Sequence, residues 1–465
     1  MTASEHARSS RRTAPWGTLV VVLALVRGVF LAVFIPPFQS PDEPAHFDYV
    51  QRLAEIGRLA EPGTGGGRVE GTTSGCDALS SESEALRDLM RPSFFHGEHP
   101  VPPADRFHPP PDTPLARRTP LCSSAAIYGP FFYALGAGAY RAVHGAPLLS
   151  RLLAARLSAV LWGALGALAA FLAGLWLFGD ARSGLCLGLA YALQPMQALM
   201  FSTVNNDAAL FAATATAFAA AGRRYRSPTS RGALALFSVA ALAAALAKPT
   251  FLLCTPALLV AFAAASGPRR AASWIAAALA LLPGVVAGVA WQVWHPVLAS
   301  GAPSSAERGW LGRVAQLVPS PGPAEALWGR YYWMDWGWHD LRLPIAYYRL
   351  LQVVLFLALA GCVHAWRQRV DSERGLLAAV LLGTLAMLLA LYGFDSLYRS
   401  ETGRSFLQGR YLLPLFVPHA AAVMVGLRGL ARRLGSPCDS AFALPLALAL
   451  MLGASAVHAL ARYYA

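Results

Sequence analysis

Three side chains that could do chemistry together lie within one helical turn: Asp42, Glu43 and His46. Two flanking prolines favour a helix that begins here, because a missing amide N–H costs nothing in a first turn. Carboxylates are stabilised at the positive end of a helix, so one interpretation is that both acids only cap it. The other interpretation is chemical, since a carboxylate placed there can act as a general base on a hydroxyl group. We predict Asp42 as the catalytic base and Glu43 as the residue that orients it.

The same three residues also carry the ligand types of a divalent-metal site, for Mg²⁺ or Mn²⁺. Three ligands so close in sequence are a weak signal. The sequence therefore leaves a metal at Asp42, Glu43 and His46 as an open alternative and indicates no cofactor with certainty.

A second group of candidate residues combines positive charge with hydrogen-bond donors. Lys248 is the only lysine of the chain, and Arg404 and Arg410 lie just before a long apolar segment. Guanidinium groups suit phosphate oxygens, and Gln408 and Tyr411 add neutral donors. We predict that these five residues bind a phosphate group. The alternative is that the cations only extend toward lipid head groups.

Two further clusters have the composition of a surface that binds hydroxyl groups. Asp207 follows two asparagines and is a candidate second acid, although it also fits a helix N-cap. Flat aromatic rings with nearby carboxylates suit sugar faces, and residues 331–340 contain such a cluster; the alternative is an interfacial aromatic belt. The set that we predict to bind hydroxyl groups of a substrate is His46, Asn206, Asp207, Trp333, Asp335, Trp336 and Trp338.

The elements that must position these residues are apolar. Hydrophobic residues make up 56% of the 465 positions and charged residues only 14%, with a mean hydropathy of +0.45. This composition excludes a disordered chain, a coiled coil and an ordinary cytosolic enzyme, which carries roughly 25% charge. It predicts an all-α, polytopic membrane bundle whose spans need about 20 apolar residues each. We place eleven spans, at about 15–35, 152–178, 183–203, 208–222, 232–247, 249–266, 271–293, 344–364, 375–394, 411–427 and 440–459.

The distribution of arginine predicts the orientation of the bundle. Basic residues cluster before the first span and in every loop that would share its side, as the positive-inside rule requires. The net charge of +13 belongs to these loops, so it does not indicate a nucleic-acid partner. We predict a cytoplasmic tail (1–14), a first span (15–35), a large extracytoplasmic loop (36–151), spans two to seven (152–293), a Trp-rich extracytoplasmic loop (294–343), and spans eight to eleven (344–465) with a phosphate-binding loop (395–410) and an extracytoplasmic C-terminus.

The large loop has further features of its own. Residues 126–144 fit an amphipathic segment on the outer surface, whereas residues 61–112 are rich in Gly, Pro and Ser and predict irregular structure. Cys76 and Cys122 are a candidate disulfide in an oxidising compartment, or two free thiols. Within the spans, Arg27 is an intramembrane charge and thus a functional hypothesis.

Several motifs resemble, in order, those of a bacterial family known as domain of unknown function 2142, within the GT-C superfamily of membrane glycosyltransferases. The resemblance covers about residues 15–430. The motifs are Pro41-Asp42-Glu43-Pro44-Ala45-His46-Phe47, Val204-Asn205-Asn206-Asp207-Ala208, Ala247-Lys248-Pro249-Thr250, Trp336-Gly337-Trp338 and Gln408-Gly409-Arg410-Tyr411-Leu412-Leu413-Pro414.

This resemblance implies a GT-C-like fold and a chemistry. Such enzymes take a sugar from a polyprenyl-phosphate carrier and join it to a glycan, lipid or protein acceptor at the outer face of the membrane, and the acid of the first loop matches their catalytic base. It also implies the bacterial plasma membrane as the location. Two alternatives stay open: a transporter or flippase of lipid-linked glycans, although the sequence shows no internal repeat, and a non-catalytic scaffold.

Overall fold

A computed structural model gives the fold of the chain. It describes residues 3–40, 42–59, 80–91, 124–267, 270–294, 330–334, 336, 341–368, 371–402, 405, 407–436 and 439–464. The α-helices among these residues are α1 (Ala3–Phe34), α2 (Glu43–Glu55), α3 (Ser81–Met90), α4 (Phe131–Ala142), α5 (Leu148–Phe178), α6 (Ala181–Leu193), α7 (Pro195–Met200), α8 (Asp207–Arg226), α9 (Arg231–Ala247), α10 (Phe251–Ser266), α11 (Ala271–Trp294), α12 (Arg330–Trp333), α13 (Ile345–Arg367), α14 (Asp371–Thr402), α15 (Phe416–Arg433) and α16 (Ala443–Tyr464). Three 3-10 turns cover Ser124–Ile127, Gly409–Leu415 and Ser440–Phe442.

The chain is an all-helical, multi-pass membrane protein. Seven of the eleven predicted spans fall on helices long and apolar enough to cross a bilayer, and three fall on the shorter apolar helices Ala181–Leu193, Arg231–Ala247 and Phe251–Ser266. The remaining predicted span, 208–222, lies within α8. The number of crossings and their orientation stay predictions.

α5 is the central helix of the bundle and packs against α1, α6 and α8. Its glycines allow close approach: a Cβ atom on Gly163 would lie 2.8 Å from the side chain of Phe201, and one on Gly174 would lie 2.6 Å from the carbonyl oxygen of Ser183. Small residues at helix contacts are how apolar helices pack tightly where lipid replaces water.

The predicted span 183–203 is two helices with a break between them. Pro195 begins α7, and because proline disfavours helical geometry in the residue before it, Gln194 is extended (φ −66°, ψ 118°). The break leaves carbonyl groups at the end of α6 without helical partners. Arg27 donates a hydrogen bond to the carbonyl of Ala192, so this intramembrane arginine stabilises the end of a broken helix.

At one end of the bundle, α2, α3 and α4 pack against one another and against α5. The Tyr140 hydroxyl of α4 donates to Glu55 of α2 at 2.8 Å, and Arg151 of α5 pairs with Glu82 of α3 at 2.8 Å. We call this end the site end. The opposite end, where α8 finishes with Arg223, Arg224 and Arg226, is the arginine-rich end. α4 lies within the segment 126–144, for which the sequence predicted a surface helix.

Two predictions about loops were wrong. Residues 61–112 are not irregular throughout, because Ser80 caps α3 by accepting a hydrogen bond from the amide of Ser83 at 3.2 Å. The loop predicted at 395–410 begins later, since α14 continues to Thr402. Several predicted residues lie outside the described part of the chain: Cys76, Cys122, Asp335, Trp338 and Arg404.

Candidate active site

Four charged residues from distant segments meet at the site end. Asp42 precedes α2 and Asp207 begins α8. Lys248 follows α9, and Arg410 lies in the 3-10 turn Gly409–Leu415. The Arg410 Nη2 atom is 2.6 Å from Asp42 Oδ2, and the Lys248 Nζ atom is 2.7 Å from Asp207 Oδ1. We call these four residues the charged cluster.

Asp42 occupies an unusual backbone conformation at the mouth of this cluster. Its φ of 66° and ψ of −6° lie in the left-handed region, which Asp tolerates better than most residues other than glycine. As the residue before α2, it has no side-chain cap hydrogen bond to the helix. Its carboxylate is thus turned away from capping and is 51% exposed, which leaves it open to a substrate.

Charge neighbours keep Asp42 ionised. The loss of water around this carboxyl group raises its pKa. The guanidinium group of Arg410 and the ammonium group of Lys248 act in the opposite direction and prevail, so that the pKa of Asp42 is lowered to about 2. At neutral pH the carboxylate is therefore charged and able to accept a proton, although its basicity is weak as long as Arg410 is its partner.

Arg410 links the two acids of the charged cluster. Its side chain is only 5% exposed, and its Nε atom is 3.7 Å from Asp207 Oδ2. Among the described residues, no side chain or backbone group makes a hydrogen bond with its Nε or Nη1 atoms. Buried N–H groups without partners are costly, so these two atoms are available as donors to an anion.

Lys248 is fixed by aromatic rings as well as by Asp207. Its Nζ atom lies 5.4 Å from the centre of the Tyr128 ring and 5.7 Å from that of Tyr411. Pro249 follows it, so the helix ends and the residue before the proline is extended (φ −156°, ψ 131°). The lysine thus points into the site end and is 2% exposed, rather than extending toward head groups.

Glu43 is buried in an ion pair away from the mouth. Both of its carboxylate oxygens accept from Arg156, at 2.8 Å and 2.7 Å, and it also accepts from the backbone amides of Phe38 and Val204 at 3.1 Å and 3.0 Å. Arg156 donates to three carbonyl groups at the end of α1 as well. A carboxylate with this many donors ties the start of α2 to α5 and to the segments that follow α1 and precede α8, and it has no free oxygen for a substrate.

His46 faces aromatic residues instead of solvent. Its Nδ1 atom is 2.6 Å from the hydroxyl of Tyr133, and its ring stacks on Tyr128 and Tyr133, with centres 5.6 Å and 5.8 Å away. Burial lowers the pKa of His46 to about 4, although the neighbouring charge of Asp42 raises it. The imidazole is therefore neutral at neutral pH and supports the wall of the site.

The candidate metal set does not converge. Asp42 contacts Arg410, Glu43 contacts Arg156, and His46 contacts Tyr133. Within the described ranges, no group of three His, Cys, Asp or Glu side chains is placed to hold a metal ion. The residues at the start of α2 do not fit a divalent-metal site, and we derive no chemistry from one.

The remaining predicted residues have mixed positions. Asn206 donates to the carbonyl of Ala247 at 3.1 Å, which ties α8 to α9 beside Lys248. Trp336 is fully buried and donates to the carbonyl of Pro195 at 2.9 Å, so its ring packs inside the protein instead of lining the mouth. Trp333 is half-buried in α12, which packs against the turn that carries Arg410.

Three contributors to the site were not among the predicted site residues: Arg156, Tyr128 and Tyr133. Arg156 lies in an apolar span, where a charge is a signal of function or of a buried partner. The tyrosines belong to an aromatic run, Tyr128–Tyr133, whose spacing gave no sign that two rings would meet His46.

A comparison with known protein families shows to which family the chain belongs. Residues 25–418 match the family described as "Predicted membrane protein (DUF2142)". The chain belongs to this family. The matched part of this DUF2142 protein includes all four residues of the charged cluster and also Glu43, Arg156 and His46. No curated protein matches the chain in sequence.

The solved structures with a similar fold belong to larger proteins. ArnT from Cupriavidus metallidurans in the apo state is 18% identical, with a TM-score of 0.45 over 89% of this chain and 59% of that one. The archaeal oligosaccharyltransferase AglB from Archaeoglobus fulgidus, in complex with an inhibitory peptide and a dolichol-phosphate, is 13% identical (TM-score 0.44; 97% and 56% covered). The apo Archaeoglobus fulgidus oligosaccharyltransferase is 14% identical (TM-score 0.46; 96% and 56% covered). The DUF2142 chain spans less than two thirds of the length of each.

Proposed function

We propose that this DUF2142 protein is a membrane glycosyltransferase. It transfers a sugar from a polyprenyl-phosphate-linked donor to a hydroxyl group of a cell-envelope glycan, lipid or protein. In this proposal the site end faces the extracytoplasmic side of the bacterial plasma membrane. Asp42 is the catalytic base, and Arg410 and Lys248 bind the phosphate of the donor.

The observation that carries the proposal is the contact between Asp42 and Arg410. A half-exposed carboxylate and a buried guanidinium group with spare donors lie 2.6 Å apart, at the end of an apolar bundle. Glycosyl transfer from a lipid phosphate needs this combination: a base for the incoming hydroxyl and a cation for the departing phosphate, side by side at the membrane surface.

The reaction has a simple balance of bonds. The acceptor oxygen forms a bond with the anomeric carbon of the sugar while the bond between that carbon and the phosphate oxygen breaks. The proton of the acceptor hydroxyl passes to Asp42, and the electron pair of the broken bond stays on the polyprenyl phosphate. Arg410 and Lys248 stabilise the charge that develops on this phosphate.

The ion pairs of the site couple donor binding to the basicity of Asp42. Each cation of the charged cluster is neutralised by an acid, so an incoming phosphate competes with Asp42 for Arg410. Once Arg410 binds the phosphate, Asp42 loses the positive charge that lowers its pKa. Its basicity then rises toward that of an ordinary carboxylate, when the acceptor needs it.

Closely packed apolar side chains lie beneath the charged cluster. They include Leu210 of α8, Leu253 of α10 and Leu391 of α14, together with Asp207 and Arg410 of the cluster itself. In this proposal the lipid of a donor held at Arg410 packs against these apolar side chains, which suits a prenyl chain and not a free nucleotide-sugar.

The test is sugar transfer by the purified protein from radiolabelled polyprenyl-phosphate sugars to an acceptor fraction of the native envelope. Wild type should transfer, and Asp42→Asn should lose roughly 10²–10⁴-fold of the rate, the contribution typical of a general base. Arg428→Gln, at the arginine-rich end, is the matched control. Donor binding by the wild type without transfer would favour the transporter alternative, and equal rates for wild type and Asp42→Asn would exclude Asp42 as the base.

A further inference from the structure

A large cavity of the described structure shares no lining residue with the charged cluster. Its volume is about 790 Å³, within the range of ligand pockets. It is lined mainly by α8, α10 and α14, with residues of α5 and α15, and at the arginine-rich end its lining includes the last turns of α8 and α10 and the first turns of α11 and α14. We call this end of the cavity its mouth. None of the residues that the proposed mechanism uses lines it.

The walls of the cavity are suited to hydrocarbon chains. Small apolar residues predominate, including Ala257, Ala261, Ala264 and Ala265 on one face of α10. Small side chains leave an open groove between helices where larger ones would fill it, and most of the groove surface is apolar. Its occupant must therefore be mostly hydrocarbon.

The mouth of the cavity is cationic and aromatic. Arg270 lines it and is exposed, and Tyr225 and Trp274 lie beside it as interfacial rings do. Arg224 is held next to the wall, because its Nε atom donates to Ser266 at 3.1 Å and its guanidinium group lies over the ring of Phe262.

Within the ranges that the structure describes, no acid is paired with either of these two arginines. The described residues that line the cavity include no Asp or Glu, and neither Arg224 nor Arg270 makes an ion pair within the described part of the chain. Basic pockets between membrane helices bind anionic lipid head groups. The charge at the mouth thus suits an anionic head group and the apolar interior suits acyl chains, which one lipid molecule combines.

We propose that this cavity is a binding site for an anionic phospholipid. Its acyl chains lie between α8, α10 and α14, and its phosphate group contacts Arg270 and Arg224 at the mouth. The site does not depend on the proposed glycosyltransferase activity, since it shares no residue with the charged cluster. A polyprenyl chain entering from Arg410 would have no need of two cations at the opposite end.

The test is native mass spectrometry of the protein released from nanodiscs of equal phosphatidylglycerol and phosphatidylcholine. The wild type should retain phosphatidylglycerol in preference. Arg270→Gln and Arg224→Gln should each lower this preference about fivefold, which is what roughly 1 kcal/mol per basic residue gives. Arg367→Gln, an exposed arginine at the same end on α13, is the charge-matched control and should leave the preference unchanged.

A second pair of variants tests the apolar walls. Ala261→Phe fills the groove and should reduce retention of either phospholipid, whereas Ala278→Phe, on the exposed face of α11, should not. Thermal unfolding in detergent without added lipid shows whether each variant folds like the wild type. Equal retention of both phospholipids by the wild type would overturn the proposal, and so would displacement of phosphatidylglycerol by polyprenyl phosphate with no effect of the arginine variants.

Discussion

Arg410 Nη2 lies 2.6 Å from the carboxylate of Asp42, although 368 positions separate the two residues in the chain. The contact joins the start of α2 to the turn that precedes α15 and places opposite charges at the mouth of the site. Because the guanidinium group lowers the pKa of Asp42 to about 2, the ion pair keeps the proposed base ionised but weakly basic. Any anion that binds Arg410 changes that state.

Removal of Arg410 should move the acid limb of the pH–rate profile. Asp42 is required in its ionised form, so kcat/KM for the wild type should fall only as the pH approaches about 2. In Arg410→Gln the pKa should return toward the ordinary value of 3.8, and the fall should begin at a correspondingly higher pH, in addition to a loss of rate. Transfer assays over the acid range measure this shift. An unchanged acid limb would mean that Arg410 does not control the base.

The ion pair of Glu43 with Arg156 should be structural. Glu43→Gln leaves a buried guanidinium group without its counter-ion, and breaking such a pair costs about 3–5 kcal/mol. We expect a large drop in the midpoint of thermal unfolding in detergent. Glu84→Gln breaks the exposed pair with Arg87, where the carboxylate is 56% exposed, and should change the midpoint little. A stable Glu43→Gln protein that had lost transfer would instead assign Glu43 to catalysis.

Asp207 and Lys248 should show strong energetic coupling. Asp207→Asn leaves Lys248 buried without its partner at 2.7 Å, and Lys248→Met leaves the carboxylate of Asp207 without it. Each single variant should be clearly destabilised, whereas the double variant should recover part of the loss. We expect a coupling free energy of roughly 0.5–3 kcal/mol from a double-mutant cycle of unfolding. Strict additivity of the two single effects would show that the pair contributes nothing to stability.

His46 should make stability depend on pH in a defined window. Burial lowers its pKa to about 4 from an ordinary value of 6.5, so the unfolded chain binds more protons between these two values. The contribution of neutral His46 is then complete above pH 6.5 and is lost as the pH falls toward 4.

Comparison with His46→Gln isolates this contribution. The stability advantage of the wild type over His46→Gln should be smaller at pH 5 than at pH 7.5, as measured by thermal unfolding. His144→Gln, whose ring is 60% exposed, serves as the control for a surface histidine. An advantage of the same size at both pH values would contradict a buried, neutral His46.

Much of the site was predictable because charge is rare in this chain. Asp42, Asp207, Lys248 and Arg410 stand out at the ends of apolar runs, and a common side for all four follows from the order of the spans. Their pairing was not predictable, since a motif 368 positions away carries no local sign of its partner. The proposal for Asp42 as the base stays a prediction, whereas the family resemblance is confirmed.

Other features depend on tertiary contacts that periodicity does not encode. Glu43 and Asp42 are adjacent and chemically alike, yet Glu43 meets Arg156, whereas Asp42, in a left-handed backbone conformation, meets Arg410. The aromatic composition around Trp336 predicted that its ring binds a sugar face, but the ring is buried against Pro195. Pro195 itself indicated a break in the helix, but the apolar residues on both sides favoured one continuous span.

Binding and transfer measured on the same preparations test the central claim most directly. Asp42→Asn removes the competitor for Arg410, so it should bind polyprenyl phosphate at least as tightly as the wild type while its single-turnover sugar transfer is lost. Intact binding with lost transfer is the result that the account predicts, because it separates the base from the phosphate site. Transfer at the wild-type rate by Asp42→Asn would contradict it.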